Sequence, residues 1–183
     1  MGYMKQKFTV GISSILLIIL SALYVLQPLS PKNAAAPTSD WCRWAFAQLP
    51  DHKSLSEIDK SAFSTEFYAI LEKAFTSYEN EIKQYPDGVP SGEFLTYWYD
   101  GNGDSIFDDK DLSLRFLPSD AVEGTAAVNI SAITPSLGFR DKPLQYRMDL
   151  VYEYGAWRID DWENLTYSFG GTMRDSIERY LEQ

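Results

Sequence analysis

The sequence predicts an α+β domain carried behind an amino-terminal membrane-crossing helix. Three observations predict it: an uncharged apolar run near the start, a long stretch of helical periodicity, and strand periodicity after it. The apolar run, Phe8 to Leu26, follows Lys5 and Lys7, and no acidic residue precedes Asp40. At about 1.5 Å per residue it reaches roughly 28 Å, the thickness of a hydrocarbon core. Lysines on the short leading side hold that side in the cytoplasm. Residues 1–26 therefore read as a cytoplasmic tail and signal anchor spanning a bacterial-type inner membrane once through residues 8–26, with the carboxy-terminal part in the periplasm. Cleavage near Asn33-Ala34-Ala35-Ala36-Pro37 would instead release a soluble periplasmic protein. Retention is the expectation, because the run exceeds a signal core and Pro37 follows the best Ala-x-Ala match. Cys42 follows Thr38-Ser39-Asp40-Trp41, which lacks the apolar-and-small tripeptide of a lipoprotein site.

Residues 27–40, with Pro28, Pro31 and Pro37, read as a Pro/Ala-rich linker, and residues 41–183 as one periplasmic α+β domain. Trp41 to Leu49 suits a short helix capped by Ser39 or Asp40 and stopped by Pro50. Phe63, Phe67, Ile70, Leu71, Ala74, Phe75, Tyr78 and Ile82 recur at spacings of three and four, which predicts a long amphipathic helix ending before Tyr85-Pro86-Asp87-Gly88. Alternation then predicts strands at Leu95–Tyr99, Leu112–Phe116 and Thr125–Ile133. The strand signal is cleanest where Leu144, Tyr146, Met148, Leu150, Tyr152 and Tyr154 share one face and Gln145, Arg147, Asp149 and Glu153 the other. Gly155 and Ala156 read as a turn into Trp157–Trp162. Met173, Ile177, Tyr180 and Leu181 line a closing helix. Helices before a run of antiparallel strands predict helices packed on one face of a curved sheet.

All 26 acidic residues follow the apolar run against 14 of the 16 basic ones, leaving the exported part at a formal −12. Such a surface repels nucleic acid and anionic lipid and steers a basic protein partner toward itself. One cysteine forms no internal bridge.

From about Leu55 onward the chain resembles the nuclear transport factor 2-like (cystatin-like) superfamily, and within it a group of bacterial secreted domains. The resemblance rests on the long helix with Tyr68 and Leu71, the Pro-Asp-Gly break, and the hairpin LQYRMDLVYEYGAWRIDDW leading to GGTMRDSIERYL. Gly155, Trp157, Ile159, Asp160 and Asp161 match that group's Gly-x-Trp-x-Ile-Asp-Asp strand, while Thr172-Met173-Arg174 matches its helix start loosely. The resemblance implies a cone-shaped sheet with a pocket under the long helix, used by relatives for catalysis, ligand binding or protein contacts. It also implies company with single-helix scaffold subunits of type IV secretion systems and with immunity proteins against exported toxins. It carries no catalytic residue set.

The sharpest local signal is DGNGDSIFDDKDL. Asp100, Asn102, Asp104, Asp108 and Asp111 occupy positions 1, 3, 5, 9 and 12 of an EF-hand-type calcium loop, and Ile106 would offer its carbonyl at position 7. Ser105 in place of the turn glycine, and Asp111 in place of a bidentate glutamate, depart from that pattern, and a solvated hairpin loop has similar composition. His52, the only histidine, sits in the polar stretch Pro50–Ser54, which suits a surface loop. Asp149, Asp161 and Glu163 are the carboxylates closest to acid–base chemistry, but Asp160 and Asp161 should point to opposite faces of a strand. Tyr97, Tyr99, Tyr146, Tyr152, Tyr154 and Trp157 suit a sheet core or, in the other reading, a ligand- or protein-binding face. Cys42 suits burial beside Trp41 and Trp44, or pairing between chains.

The expected function is a non-catalytic, membrane-anchored periplasmic protein-binding module, of the kind an immunity protein exemplifies, with a possible Ca²⁺ loop. The alternatives are a single-pass scaffold subunit of an envelope secretion machine and a cone-pocket enzyme or small-ligand carrier. Calorimetric titration of the domain with Ca²⁺ tests the loop: heat should appear and vanish on combining Asp100→Ala with Asp104→Ala. A flat titration of the unsubstituted domain removes the site.

Overall fold

The chain divides into two units, Met1–Ser30 and Pro31–Gln183. The computed structural model describes residues 34–49, 55–85, 106–167 and 171–182, all in the second unit. The apolar run at 8–26, His52, the turn at 86–88 and the strand expected at 95–99 lie outside the described residues. No helix among the described residues is long and apolar enough to cross a membrane.

Helix α1 covers Ser39–Phe46. Its cap is Thr38 rather than Ser39 or Asp40: the Thr38 hydroxyl oxygen accepts the Trp41 N–H at 3.2 Å. The helix thereby starts before the aromatic stretch and places Asp40 in its first turn, where a negative charge complements the helix dipole. The preceding residues already touch the domain, since Pro37 is buried and the Ala35 carbonyl accepts the Trp157 indole N–H at 2.8 Å.

Helix α2, Thr65–Gln84, is the long helix expected from the periodicity. The Ser64 hydroxyl caps it by accepting the Phe67 N–H at 3.0 Å. Phe67, Leu71, Ala74 and Phe75 form its buried stripe. Phe63, which shares the helical spacing, lies outside the helix in a parallel bridge to Ile159. Helix α3, Met173–Leu181, packs against α2 and β4 and buries Met173, Ile177 and Tyr180. Thr172 and Asp175 close its start as a reciprocal capping box.

The strands β1 (Ser113–Pro118), β2 (Thr125–Thr134), β3 (Phe139–Glu153) and β4 (Ala156–Asn164) form one antiparallel sheet in sequence order. Period-two alternation points Ala126, Val128, Ile130 and Ala132 of β2, and Leu144, Tyr146, Met148 and Leu150 of β3, into the core. Register shifts at Ala132/Thr134 and at Asp149/Leu150 bend the sheet. The concave face is filled where Phe46 meets Phe107, Phe116 and Tyr146 at ring separations of 5.4, 6.0 and 5.9 Å. Phe67 stands edge-on to Trp162 at 5.3 Å. Aromatic pairs at these separations add contact energy beyond the area they bury.

The β3–β4 turn is Tyr154-Gly155, not Gly155-Ala156, because Glu153 and Ala156 are already paired. Both turn residues have positive φ, 52° and 83°, the combination whose twist matches a hairpin. Among the described tyrosines read as core, Tyr154 is therefore the exception: Tyr146 is fully buried and Tyr152 half-buried, but Tyr154 is 83% exposed, while Tyr97 and Tyr99 lie outside the described residues.

Cys42 is fully buried, as the burial alternative expects, and burial pushes its thiol up to about 11. The folded state favours the neutral thiol, so its contribution to stability is intact below pH 9 and is lost as pH climbs toward 11. In thiol titration with a maleimide at neutral pH, the folded chain should stay unlabelled and the urea-unfolded chain should take one label. Rapid labelling of the folded chain contradicts this burial.

Candidate functional site

The β-bulge in the β3–β4 ladder organises the densest polar cluster described. Asp149 pairs with Asp161 and Leu150 with Ile159, so Asp160 is the extra residue of β4. Regular alternation would send Asp160 and Asp161 to opposite faces, but the bulge lets both reach the start of α3. Asp160 Oδ1 accepts the Ser64 hydroxyl at 2.6 Å and Arg174 Nη2 at 3.1 Å. Arg174 Nη2 also donates to the Asp160 carbonyl at 3.0 Å, and Nη1 donates to Glu66 Oε1 at 3.0 Å. Asp161 Oδ1 accepts the backbone N–H groups of Trp162 and Arg174 at 2.8 and 3.0 Å.

The guanidinium of Arg174 lies 5.4 Å from the Phe67 ring centroid, which adds a cation–π contact. One arginine thus joins the start of α2, the bulge of β4 and the first turn of α3. Burial pushes the Asp161 carboxyl above the usual carboxylate range; the Thr172 hydroxyl and the Arg174 and Trp162 amides offset only part of that. Ser64 is fully buried, and its hydroxyl gives its proton to Asp160 while capping α2. These groups are arranged to hold elements in register: the serine proton and the guanidinium N–H groups that bond Asp160 and Glu66 are committed to protein acceptors.

Two open depressions flank this cluster. One, of about 390 Å³, is bordered by Lys60, Tyr68, Glu153, Tyr154 and Arg158. In it Lys60 Nζ sits 4.7 Å over the Tyr68 ring, and Glu153 Oε2 accepts the Thr65 N–H at 3.0 Å. The other, of about 370 Å³, is bordered by Asp120, Arg147, Asp149 and Asp160, with Arg147 and Asp149 ion-paired at 2.8 Å. Glu163 faces Arg147 across the strands.

Of the calcium-loop positions, Asp100, Asn102 and Asp104 lie outside the described residues. Ile106 is fully buried in a short 3₁₀ turn, Ile106–Asp108, and its carbonyl accepts the Asp109 N–H at 3.4 Å. Asp111 is exposed, and no group of three or more candidate metal ligands is assembled among the described residues. The residue that anchors this limb is Asp109, which the sequence reading passed over. Its carboxylate accepts the Ser136 hydroxyl at 2.5 Å, the Ser136 N–H at 3.0 Å and the Asp111 N–H at 2.9 Å. The Ser136 hydroxyl, and then those backbone amides, hold the carboxyl below its usual range. Asp-x-Asp spacing, which favours an Asx turn, was the available signal; the partner at Ser136 has no local one.

Comparison with protein-family models, curated proteins and solved structures finds no match for this chain.

Replacing Arg174 by alanine should cost about 2–3 kcal/mol, the scale of a charge-assisted bond plus an unpaired half-buried carboxylate. Arg174→Lys should recover only part of it, since an ammonium cannot span both acceptors. Urea unfolding measures both, and equal stability of all three chains contradicts the joining role. Asp161 gives a pH signature. Because its folded pKa is raised, it contributes stability below the unfolded value near pH 4 and loses that contribution as pH rises through the folded value. Asp161→Asn should therefore be less harmful at pH 7 than at pH 3.5; the reverse order contradicts the assignment.

Proposed function

We propose that this chain is a membrane-anchored periplasmic protein-binding module built on a nuclear transport factor 2-like cone, and that it engages a basic protein partner. The observation that carries the reading is the formal −12 of the exported part, with every acidic residue following the apolar run. A field of that sign speeds encounter with a cationic surface and disfavours anionic ones. The filled interior supports it: Phe46, Phe67, Tyr146, Met148 and Trp162 occupy the space between helices and sheet, so recognition falls to the outer surface. The form we favour is inhibition of an exported toxin, in the manner of an immunity protein. A Ca²⁺ ion on residues 100–111 would sit beside a limb that Asp109 ties to Ser136.

Affinity purification of the full chain from detergent-solubilised membranes, repeated at about 0.05 and 0.5 M salt, tests the charge argument. A basic protein should be recovered at low salt and lost at high salt, and co-expression of the chain should relieve that partner's toxicity. Salt-independent recovery of a neutral or acidic partner overturns the reading.

A further inference from the structure

Two tight turns lie together at one end of the sheet, and each presents an exposed hydrophobic side chain. Val122 is 64% exposed and Tyr154 83% exposed, the highest values for large hydrophobic residues among the described residues. Val122 and Thr125 bridge across Glu123-Gly124, both at positive φ, as Tyr154-Gly155 are. The turns are neighbours, because Thr125 pairs with Val151 and the Tyr152 N–H donates to the Gly124 carbonyl at 2.8 Å. A ring-bearing residue at positive φ is disfavoured, and a ring in solvent recovers nothing by packing. Isolated exposed hydrophobics are ordinary; two on adjacent turn tips, one of them strained, ask for a surface to meet.

The same end of the sheet receives the chain from its amino-terminal side. The Ala35 carbonyl is held on the Trp157 indole, and Trp157 pairs with Tyr152, two residues before the Tyr154 tip. Nine residue steps separate Leu26 from Ala35. An extended chain covers about 3.3–3.6 Å per residue, which limits that separation to roughly 30 Å. If residues 8–26 span a bilayer, this end of the domain is tethered within that reach of its surface. Charge does not make the contact: Lys60 and Arg158 beside Tyr154 stand with Asp59 and Glu153, and the exposed Glu123 of the Val122 turn leaves the two turns without a cationic excess. Tyrosine and aliphatic side chains at a polar–apolar boundary suit the headgroup layer without it.

We infer that the Val122 and Tyr154 turns form a foot that rests in the zwitterionic headgroup layer of the membrane to which the chain is anchored. This rests on the anchored reading above, and its test separates the two. The full chain carrying Val122→Cys is labelled with an environment-sensitive fluorophore and reconstituted in phosphatidylcholine vesicles containing a headgroup-nitroxide lipid. Lys83→Cys, at the far end of α2, serves as the control, and buried Cys42 should contribute no label. The label at 122 should be quenched several-fold more than the label at 83, and Tyr154→Ser added to Val122→Cys should remove most of that excess. Loss of the chain from the vesicles on carbonate washing overturns the anchor, and the foot with it. Retention with equal quenching at 122 and 83 overturns the foot alone. Shielding at 122 without nitroxide quenching also overturns it, because a protein rather than lipid then covers the turns.

Discussion

The ion pair between Arg174 and Asp160 depends on a single extra residue in β4, and the relative placement of three elements depends on that pair. Without the bulge, Asp160 and Asp161 would face opposite sides of the sheet and only one could meet α3. With it, Asp160 binds the guanidinium and the Ser64 hydroxyl, while Asp161 takes the Arg174 backbone amide. Ser64 in turn caps α2, and its own N–H donates to the Ile159 carbonyl at 2.8 Å. The start of the long helix is thus bonded to the bulged strand twice, once through backbone and once through side chain. Half-buried charge is tolerable here because each carboxylate has donors aimed at it.

Around that junction the domain divides its chemistry by depth. Aromatic rings from α1, α2, β1, β3 and β4 meet under the sheet, and the acidic excess is carried outside them. Surface charge acts at range, and the filled interior makes the presented surface a rigid one. Asp109, nearly buried and bonded to Ser136, holds the limb that follows the acidic loop to the residues after β2.

The periodic elements were legible because burial imposes its own period on the sequence. Phe67, Leu71, Ala74 and Phe75 announce the face of α2, and Leu144 to Leu150 the face of β3. Boundaries were less legible. Thr38 displaced Ser39 and Asp40 as the cap, since all three residues can accept an N–H and only the chain's entry path selects among them. Tyr154 continued the alternating pattern one residue too far, because a two-residue turn with positive φ normally advertises itself with Asn or Asp before glycine. Of the candidate site, Asp160, Asp161 and Arg174 each stand out as charged residues at a strand end or helix start, but their meeting does not show in the sequence.

By itself, then, the sequence determined the order of helices before strands, the apolar faces, the single buried thiol's candidacy for the core and the sign of the surface charge. These follow from local spacing and from counting, which need no knowledge of distant neighbours. Only the tertiary structure decided that Asp160 and Asp161 share one helix start, that Asp109 finds Ser136, and that the Val122 and Tyr154 turns sit side by side where Ala35 meets Trp157. Each of those pairings joins separate segments of the chain, and the first and last rest on a bulge and a strand register that leave little trace in local spacing.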